Sequence, residues 1–175
     1  SDNITSDKTP DFTGSCTNGE IVSLYINGGS TGATQSCNTS SYQITAPTPL
    51  ADGAHSITVT ATDLASNESS QSTVALSITV DATAPAIPTV NNLITNDSTP
   101  ILTGTATLGS GETINIIING ASYNNIAVVS NLWSLDTGTI TPSSGTFTAL
   151  TDGTYSVTAT SVDTAGNTTN DASNG

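Results

Sequence analysis

The sequence predicts an all-β protein built from two β-sandwich domains in tandem. Three observations support this fold class. The 175-residue chain is an internal repeat with a period of about ninety residues, its apolar residues alternate with polar ones, and no segment shows a helical apolar stripe. Asp-Gly and Asn-Gly pairs separate the alternating segments, as is typical of turns in antiparallel sheets.

The repeat is defined by four pairs of matching segments. In chain order, residues 5–14 match 95–104, 20–28 match 112–120, 50–53 match 150–153, and 60–67 match 160–167. The offset between partners increases along the chain, which predicts loop insertions in the second copy. The largest is expected near residues 139–146, which are rich in Gly, Pro and Ser.

Each copy is expected to form short strands with one buried face, because apolar residues recur at every second position with Ser or Thr at most positions between them. The alternating apolar residues are Val22, Leu24, Ile26, Ile57, Val59, Ala61, Val74, Leu76, Ile78 and Val80 in the first copy and Ile114, Ile116, Ile118, Val157 and Ala159 in the second.

The two copies differ at their ends. After Asn67 the first copy continues into an alternating strand at 72–80, whereas residues 168–175 contain no alternating apolar run. The second domain is therefore expected to lack its last strand. Two explanations remain open: the chain is cut before that strand, or a neighbouring molecule donates it, as in donor-strand filaments.

A proline-containing segment divides the copies. Pro85 and Pro88 stiffen the chain and cannot donate hydrogen bonds to a sheet. The predicted organisation is domain 1 at residues 1–81, a linker at 82–88 and domain 2 at 89–175. Because the chain starts without Met or a basic leader, we expect a fragment of a longer protein.

The charge balance excludes several classes of partner. Lys8 is the single basic side chain against 14 Asp and Glu, and the formal net charge is −13. Nucleic-acid binding needs clustered Lys and Arg, and an anionic membrane surface attracts basic segments. No apolar run reaches the about 18 residues that span a bilayer, so we expect neither nucleic-acid binding nor direct membrane insertion.

The two cysteines are predicted to form a disulfide. Cys16 aligns with Ala106 and Cys37 falls near Val128. The second copy thus has two small apolar residues where the first copy has two Cys. This substitution indicates that the two positions are in contact with each other in the fold. Such a bond is worth about 3 kcal/mol for a loop of this size and is compatible with export.

No catalytic constellation is predicted, and we expect no enzyme. His55 aligns with Tyr155 and has no evident acid–base partner, so it is expected to be a surface residue. Trp133 aligns with Tyr42, which favours a core or rim aromatic over a sugar-binding platform.

The chain resembles the bacterial Ig-like repeats that form the extender region of large surface adhesins, including RTX-type adhesins. The resemblance rests on Asp-x-Thr-Pro at 7–10 and 97–100, Leu-x-Asp-Gly at 50–53 and 150–153, the Thr-x-Thr-Asp-x-Ala-x-Asn element at 60–67, and Asp-x-Thr-Ala-Pro at 81–85. It implies two tandem Ig-like Greek-key β-sandwiches, joined end to end and stiffened by calcium, in an extracellular protein of the bacterial cell surface.

On the Ig-like frame, acidic residues of both domains are expected at one junction. Glu112, Asp163 and Asn167 fall at the entry pole of domain 2, Asp7 and Asp52 at the exit pole of domain 1, and Asp81 between them. Carboxylates that are close together repel, and the chain contains no Arg. A Ca²⁺ ion with about six to eight oxygen ligands resolves the repulsion, and Mg²⁺ suits flexible loops less well.

The alternative is that these Asp residues cap turns, which is the preferred role of Asp52 and Asp152. The matching set in domain 1, Glu20, Asp63 and Asn67, has no linker Asp before it, so a calcium site there is expected to be incomplete.

The predicted function is a structural extender, or stalk, of a bacterial cell-surface adhesin, stiffened by calcium at the interdomain junction. Its partners are neighbouring Ig-like repeats of the same chain or neighbouring subunits. Three alternatives remain open: a subunit of an extracellular filament assembled by donor-strand complementation, a ligand-binding adhesin tip, and an accessory module of an enzyme.

Overall fold

The computed structural model describes residues 3–172, which form strands, turns and loops without a helix. The chain divides into two compact units, Ser1–Thr83 and Ala84–Gly175, and the division falls within the predicted linker. We refer to them as domain 1 and domain 2 and describe each by itself.

Domain 1 contains seven strands in two sheets. They are β1 Ile4–Thr5, β2 Asp11–Ser15, β3 Ile21–Ile26, β4 Gly29–Ser36, β5 Ser41–Thr45, β6 Gly53–Thr62 and β7 Leu76–Val80. One sheet has the order β1-β7-β6-β3-β4, and β2 pairs with β5 in the other. All pairs are antiparallel except β1 with β7, which are parallel.

Domain 2 contains eight strands in two sheets. They are β8 Thr89–Val90, β9 Ile101–Thr105, β10 Thr113–Ile118, β11 Ala121–Tyr123, β12 Val128–Val129, β13 Leu132–Asp136, β14 Val157–Val162 and β15 Thr168–Ala172. The sheet orders are β11-β10-β14-β15 and β12-β13-β9-β8. The predicted all-β fold class is confirmed.

Each domain has its own apolar core between its two sheets. Val22 and Leu24 are buried in domain 1, and Ile114, Ile116 and Ile118 are buried at the matching positions of domain 2. The alternation predicted for these strands is therefore confirmed.

The outer face of one strand is less exposed than its pattern predicts. Thr60, expected to point to solvent, is only 4% exposed. Its hydroxyl donates a 2.7 Å hydrogen bond to Glu68 Oε1, and the hydroxyl of Tyr25 donates to the same oxygen at 3.2 Å. A polar side chain from the following loop thus covers this face of domain 1.

Domain 2 contains a strand that the sequence did not predict. β15 pairs with β14 from Val162↔Thr168 to Thr158↔Ala172 although its residues are polar. Pairing uses backbone groups, which an apolar alternation does not report. Side chains add contacts, because Asp171 Oδ2 accepts the N–H of Val90 at 2.9 Å. β15 aligns with residues 68–72, which precede β7 in domain 1, and no described residue of domain 2 corresponds to β7.

An aromatic ring lies over a glycine in both domains. Tyr42 is the strand partner of Gly14, and Trp133 is the partner of Gly104. Trp133 is 1% exposed, and its indole N–H donates to the carbonyl of Thr89 at 3.0 Å. A Cβ at Gly104 would lie 2.6 Å from the indole ring and would overlap that carbonyl oxygen. Trp133 is thus a core residue, as predicted.

The predicted disulfide is confirmed. Cys16 and Cys37 are bonded, with their Cα atoms 5.9 Å apart and a sequence separation of 21. In domain 2, Ala106 is buried and Val128 packs against the core at the matching places.

We predict that Gly104→Ala destabilises domain 2 by about 1–3 kcal/mol, because the added methyl group overpacks the Trp133 site. Trp133 is the single Trp of the chain, so its fluorescence follows the unfolding of domain 2 selectively. The control is Ser134→Ala, at an exposed position of β13 in the same domain. An unchanged midpoint for Gly104→Ala would contradict the packing described for Trp133.

We predict that the double variant Cys16→Ala/Cys37→Val, which copies the residues of domain 2, lowers the stability of domain 1 by about 3 kcal/mol. Calorimetry measures this loss, and the Trp133 fluorescence transition of domain 2 is the internal control. Equal losses in both domains would show that the disulfide does not act on domain 1 alone.

Candidate functional site

The predicted ligands in domain 2 lie at one end of a sheet. Glu112 directly precedes β10 and Asp163 directly follows β14, and the pairing Thr113↔Val162 places both at the same end. Both side chains are half-buried. The structure therefore brings two carboxylates to one edge, as the sequence predicts.

Each of these carboxylates is hydrogen-bonded to its own loop. Glu112 Oε2 accepts the N–H of Gly109 at 2.7 Å. Asp163 Oδ1 accepts the N–H of Asn167 at 2.8 Å, and Asp163 Oδ2 accepts its side-chain Nδ2 at 2.7 Å. Asn167 thus closes the loop after β14 by binding Asp163 with both backbone and side chain. Carboxylate oxygens accept more than one hydrogen bond, so lone pairs remain for a further ligand.

Domain 1 repeats this arrangement. Glu20 Oε2 accepts the N–H of Thr17 at 3.0 Å, and Asp63 accepts the backbone N–H of Asn67 at 2.9 Å and its Nδ2 at 3.0 Å. The side-chain and then the backbone hydrogen bonds of Asn67 hold the pKa of Asp63 below its usual value. Loop closure is therefore a function of the Asp-x-Ala-x-Asn element in both domains.

Asp52, at the other end of domain 1, has a cationic partner that the sequence analysis missed. Its Oδ2 accepts the hydroxyl of Thr83 at 2.6 Å, and its Oδ1 lies 3.1 Å from Nζ of Lys8. The Thr83 hydrogen bond, followed by that of Lys8, lowers the pKa of Asp52. The sequence could have indicated this contact, because Lys8 is the single basic side chain in it. The backbone carbonyl of Lys8 also accepts the N–H of Leu50 at 2.8 Å.

Asp7 and Asp81 accept hydrogen bonds from nearby backbone. Asp7 Oδ1 accepts the N–H of Thr9 at 2.8 Å, and Asp97 repeats this contact with Thr99 at 2.9 Å. The Asp-x-Thr-Pro motif is thus a capped turn in both domains. Asp81 Oδ1 accepts the N–H of Thr83 at 3.1 Å.

Within residues 3–172, no group of three or more His, Cys, Asp or Glu side chains is close enough to hold a metal ion. The structure therefore places Glu112 near the Asp163–Asn167 pair and Asp52 near Lys8, but it gathers no complete acidic ligand set in either domain. The predicted ligands belong to both domains, and calcium binding stays a prediction.

Neither His55 nor either of two surface depressions is seen to bring together two titratable side chains. His55 Nε2 lies 2.8 Å from the carbonyl oxygen of Ala51, and its Nδ1 lies 3.2 Å from Asn27 Nδ2. Open depressions of about 370 Å³ beside Glu112 and about 460 Å³ beside Tyr42 each contain one titratable side chain. General acid–base chemistry needs a second positioned group.

No helix formed by the described residues is long and apolar enough to cross a membrane.

Comparison with known proteins identifies the family. The sequence profile of the bacterial Ig-like domain matches the chain twice, at residues 1–82 and 88–174. No curated protein matches the chain in sequence.

Two solved structures are similar to the chain. The fibronectin(III)-like modules of Clostridium thermocellum CbhA align at 15% identity and a TM-score of 0.47, covering 97% of this chain and 84% of theirs. The BSP domain of a biofilm associated protein aligns at 20% identity and a TM-score of 0.32, covering 98% of this chain and 27% of its own. The family match, which covers most of the sequence in two copies, shows that the chain belongs to the bacterial Ig-like domain family.

Proposed function

We propose that the chain is a structural extender module of a bacterial cell-surface adhesin, located outside the cell, whose partners are neighbouring Ig-like repeats. One observation carries the proposal. The first and last strands of domain 1 pair in parallel, with Ile4↔Thr79 and Thr5↔Val80. Parallel neighbours start at the same end of a sheet, so the chain enters domain 1 at one end and leaves it at the opposite end. A domain of this kind adds its length to a tandem array.

The same pairing suits a domain under tension. The N–H of Thr79 donates to Asn3 at 2.8 Å, and the N–H of Asp81 donates to Thr5 at 2.9 Å. A pull on the two ends of domain 1 loads these bonds along the strands, so they must break together and not one by one. Strands loaded in shear lower the unfolding rate of the domain. Because forced unfolding is governed by that rate, such a domain unfolds more slowly under tension.

Composition also supports an extracellular stalk. The disulfide is stable in oxidising compartments such as the cell exterior. The net charge of −13 keeps neighbouring molecules apart and opposes association.

We further propose that Ca²⁺ stiffens the junction between the domains. The six predicted ligands are Asp7, Asp52, Asp81, Glu112, Asp163 and Asn167. Hard oxygen ligands of this type suit calcium, and the chain has a single basic side chain to neutralise them. Because Lys8 already pairs with Asp52, we expect Asp52 to contribute least. Glu112 and Asp163 are the strongest candidates, since both are half-buried at one end of a sheet.

A second candidate function is a filament subunit assembled by strand donation. One observation favours it: residues 153–156 of domain 2 pair with no described residue, whereas the matching residues of domain 1 pair with β7. A strand from another molecule fits such a position in principle.

The stalk proposal predicts that the two domains differ in mechanical strength. When the protein is pulled by its ends in a single-molecule force measurement, we expect two unfolding steps, with domain 2 unfolding at the lower force. Domain 1 has the parallel terminal pair, and the described part of domain 2 has no equivalent. The Cys16–Cys37 disulfide shortens the extension released by domain 1 and so identifies its step. Domain 1 unfolding first would contradict the assigned role of β1 and β7.

The calcium proposal predicts millimolar or tighter binding, in the about 10⁻⁴ to 10⁻³ M range of extracellular modules. Calorimetric titration of the whole chain measures it, and Glu112→Gln is expected to weaken binding about tenfold by removing one charged ligand. Asp11→Asn is the matched control, because Asp11 lies on β2, bonded to Gln43, and is no predicted ligand. Absence of binding heat, with identical scattering profiles with and without chelator, would refute the calcium role.

A further inference from the structure

Asn-Gly pairs occur at 18–19, 27–28 and 119–120 among the described residues. An asparagine before glycine loses its side-chain amide without an enzyme, and glycine favours the reaction because it has no Cβ to obstruct the approach. The backbone nitrogen of the glycine attacks Cγ of the asparagine, the Cγ–Nδ2 bond breaks, and ammonia leaves with the proton of that nitrogen. Water then opens the succinimide ring to give aspartate or isoaspartate. The reaction needs a movable side chain and an unbonded glycine N–H.

Two of these pairs form equivalent hairpin turns. Asn27-Gly28 joins β3 to β4, and Asn119-Gly120 joins β10 to β11, each as a complete two-residue loop. The φ angles are 52° and 49° at the two asparagines and 78° at both glycines. An isoleucine precedes each pair, and all four residues are exposed. Neither glycine N–H donates to a described residue. Backbone geometry, local sequence and access to water are therefore matched, and the surroundings of the side-chain amide differ.

The amide of Asn27 is held on both sides. Its Oδ1 accepts the N–H of Ser56 at 3.0 Å, and its Nδ2 lies 3.2 Å from Nδ1 of His55. Nε2 of His55 lies 2.8 Å from the carbonyl oxygen of Ala51, which can only accept. Nε2 therefore carries the proton of the neutral ring, and Nδ1 accepts a hydrogen bond from Asn27. Rotation of Cγ towards Gly28 would break both side-chain hydrogen bonds.

The pair at 18–19 is restrained in a different way. Asn18 Oδ1 accepts the N–H of Ser40 at 2.6 Å, so its side chain is held. The N–H of Gly19, which contains the attacking nitrogen, donates to the carbonyl of Cys37 at 3.2 Å. Cys37 is buried and bonded to Cys16, so this acceptor is fixed within domain 1.

The amide of Asn119 has no such restraint. Among residues 3–172, its side chain has no hydrogen-bond partner. Tyr155 aligns with His55, but its hydroxyl is bonded to the N–H and the carbonyl of Thr151, at 3.1 and 3.2 Å. The histidine that holds Asn27 is therefore replaced in domain 2 by a residue that is bound elsewhere.

We propose that Asn119 is a site of spontaneous deamidation, and that the contacts of Asn27 and Asn18 protect these two residues from the same reaction. The reactants are the Asn119 side chain, the backbone nitrogen of Gly120 and water, so no enzyme or cofactor is needed. This modification site is independent of the stalk function proposed above.

The modification acts on the β10–β11 hairpin. Aspartate adds a negative charge to an exposed turn, whereas isoaspartate lengthens the backbone of the two-residue loop by one carbon. The loop has little room for this extra carbon, because a Cβ at Gly145 would already overlap the carbonyl oxygen of Gly120. Ala121 and Tyr123, which follow the turn on β11, are buried. Isoaspartate therefore disturbs the start of a strand that contributes to the core of domain 2.

The test follows all three pairs in one sample of the whole chain. The protein is incubated in mildly alkaline buffer, and mass spectrometry of peptic peptides measures the conversion of each amide to an acid. Because Asn27 must break two hydrogen bonds to react, we expect Asn119 to react about tenfold or more faster than Asn27. Asn18 is expected to be slow as well. In denaturant, we expect similar rates at Asn119 and Asn27, since both follow isoleucine and precede glycine.

Two variants of His55 test the cause of the protection. His55→Tyr copies the residue of domain 2 and removes the acceptor, so we expect Asn27 to react about fivefold faster. His55→Gln keeps an acceptor oxygen and is the matched control, with little change expected. Asn18 reports whether domain 1 is folded, because unfolding would release both asparagines. Acceleration at Asn27 alone, with Asn18 unchanged, is the expected result.

Equal rates at Asn119 and Asn27 in the folded chain would overturn the proposal, as would faster reaction at Asn27. An unchanged rate at Asn27 in a folded His55→Tyr variant would overturn the protective role of His55. None of these results alters the parallel pairing of β1 with β7, so failure here is distinguishable from failure of the stalk function.

Discussion

The constraint on which domain 1 depends is the placement of its last strand, β7, between its first strand, β1, and the long strand β6. In domain 1, β7 satisfies backbone groups on both sides, supplies Ile78 and Val80 to the core, and fixes the entry and exit of the chain at opposite ends. Sheet completion, core filling and the opposite placement of the two chain ends of domain 1 thus follow from one strand. In domain 2, Ile94, which aligns with Ile4 of β1, is fully exposed.

In much of the remaining architecture, carboxylates accept hydrogen bonds from neutral donors. Glu68 covers Thr60 and Tyr25 on the outer face of domain 1, Asp171 anchors β15 to Val90, and Asp163 closes its loop through Asn167. Each uses a carboxylate as a hydrogen-bond acceptor rather than as half of an ion pair. A chain with one Lys and no Arg can therefore keep an ordered surface without the salt bridges that most domains carry.

The sequence predicted well the features that determine the alternation of apolar and polar side chains or the alignment of the two copies. The buried faces of β3 and β10, the disulfide, and the burial of Trp133 followed from alternation and from the alignment of the two copies. β15 was missed because its pairing depends on backbone groups and on Asp171. For the acidic residues, the same spacing serves turn capping and loop closure, so spacing alone does not distinguish these roles from metal binding. The Lys8 contact of Asp52 and the Asn67 contact of Asp63 depend on tertiary structure and loop closure, which spacing alone does not report.

The Lys8–Asp52 ion pair has a consequence for degradation. Lys8 is the one residue after which a protease specific for basic side chains could cut, and it lies on the surface close to Asp52. Cleavage there would release a peptide that contains β1, and domain 1 would lose the strand that runs parallel to β7. For such a protease, the single basic side chain of this sequence is also the point where a nick separates β1 from the rest of domain 1.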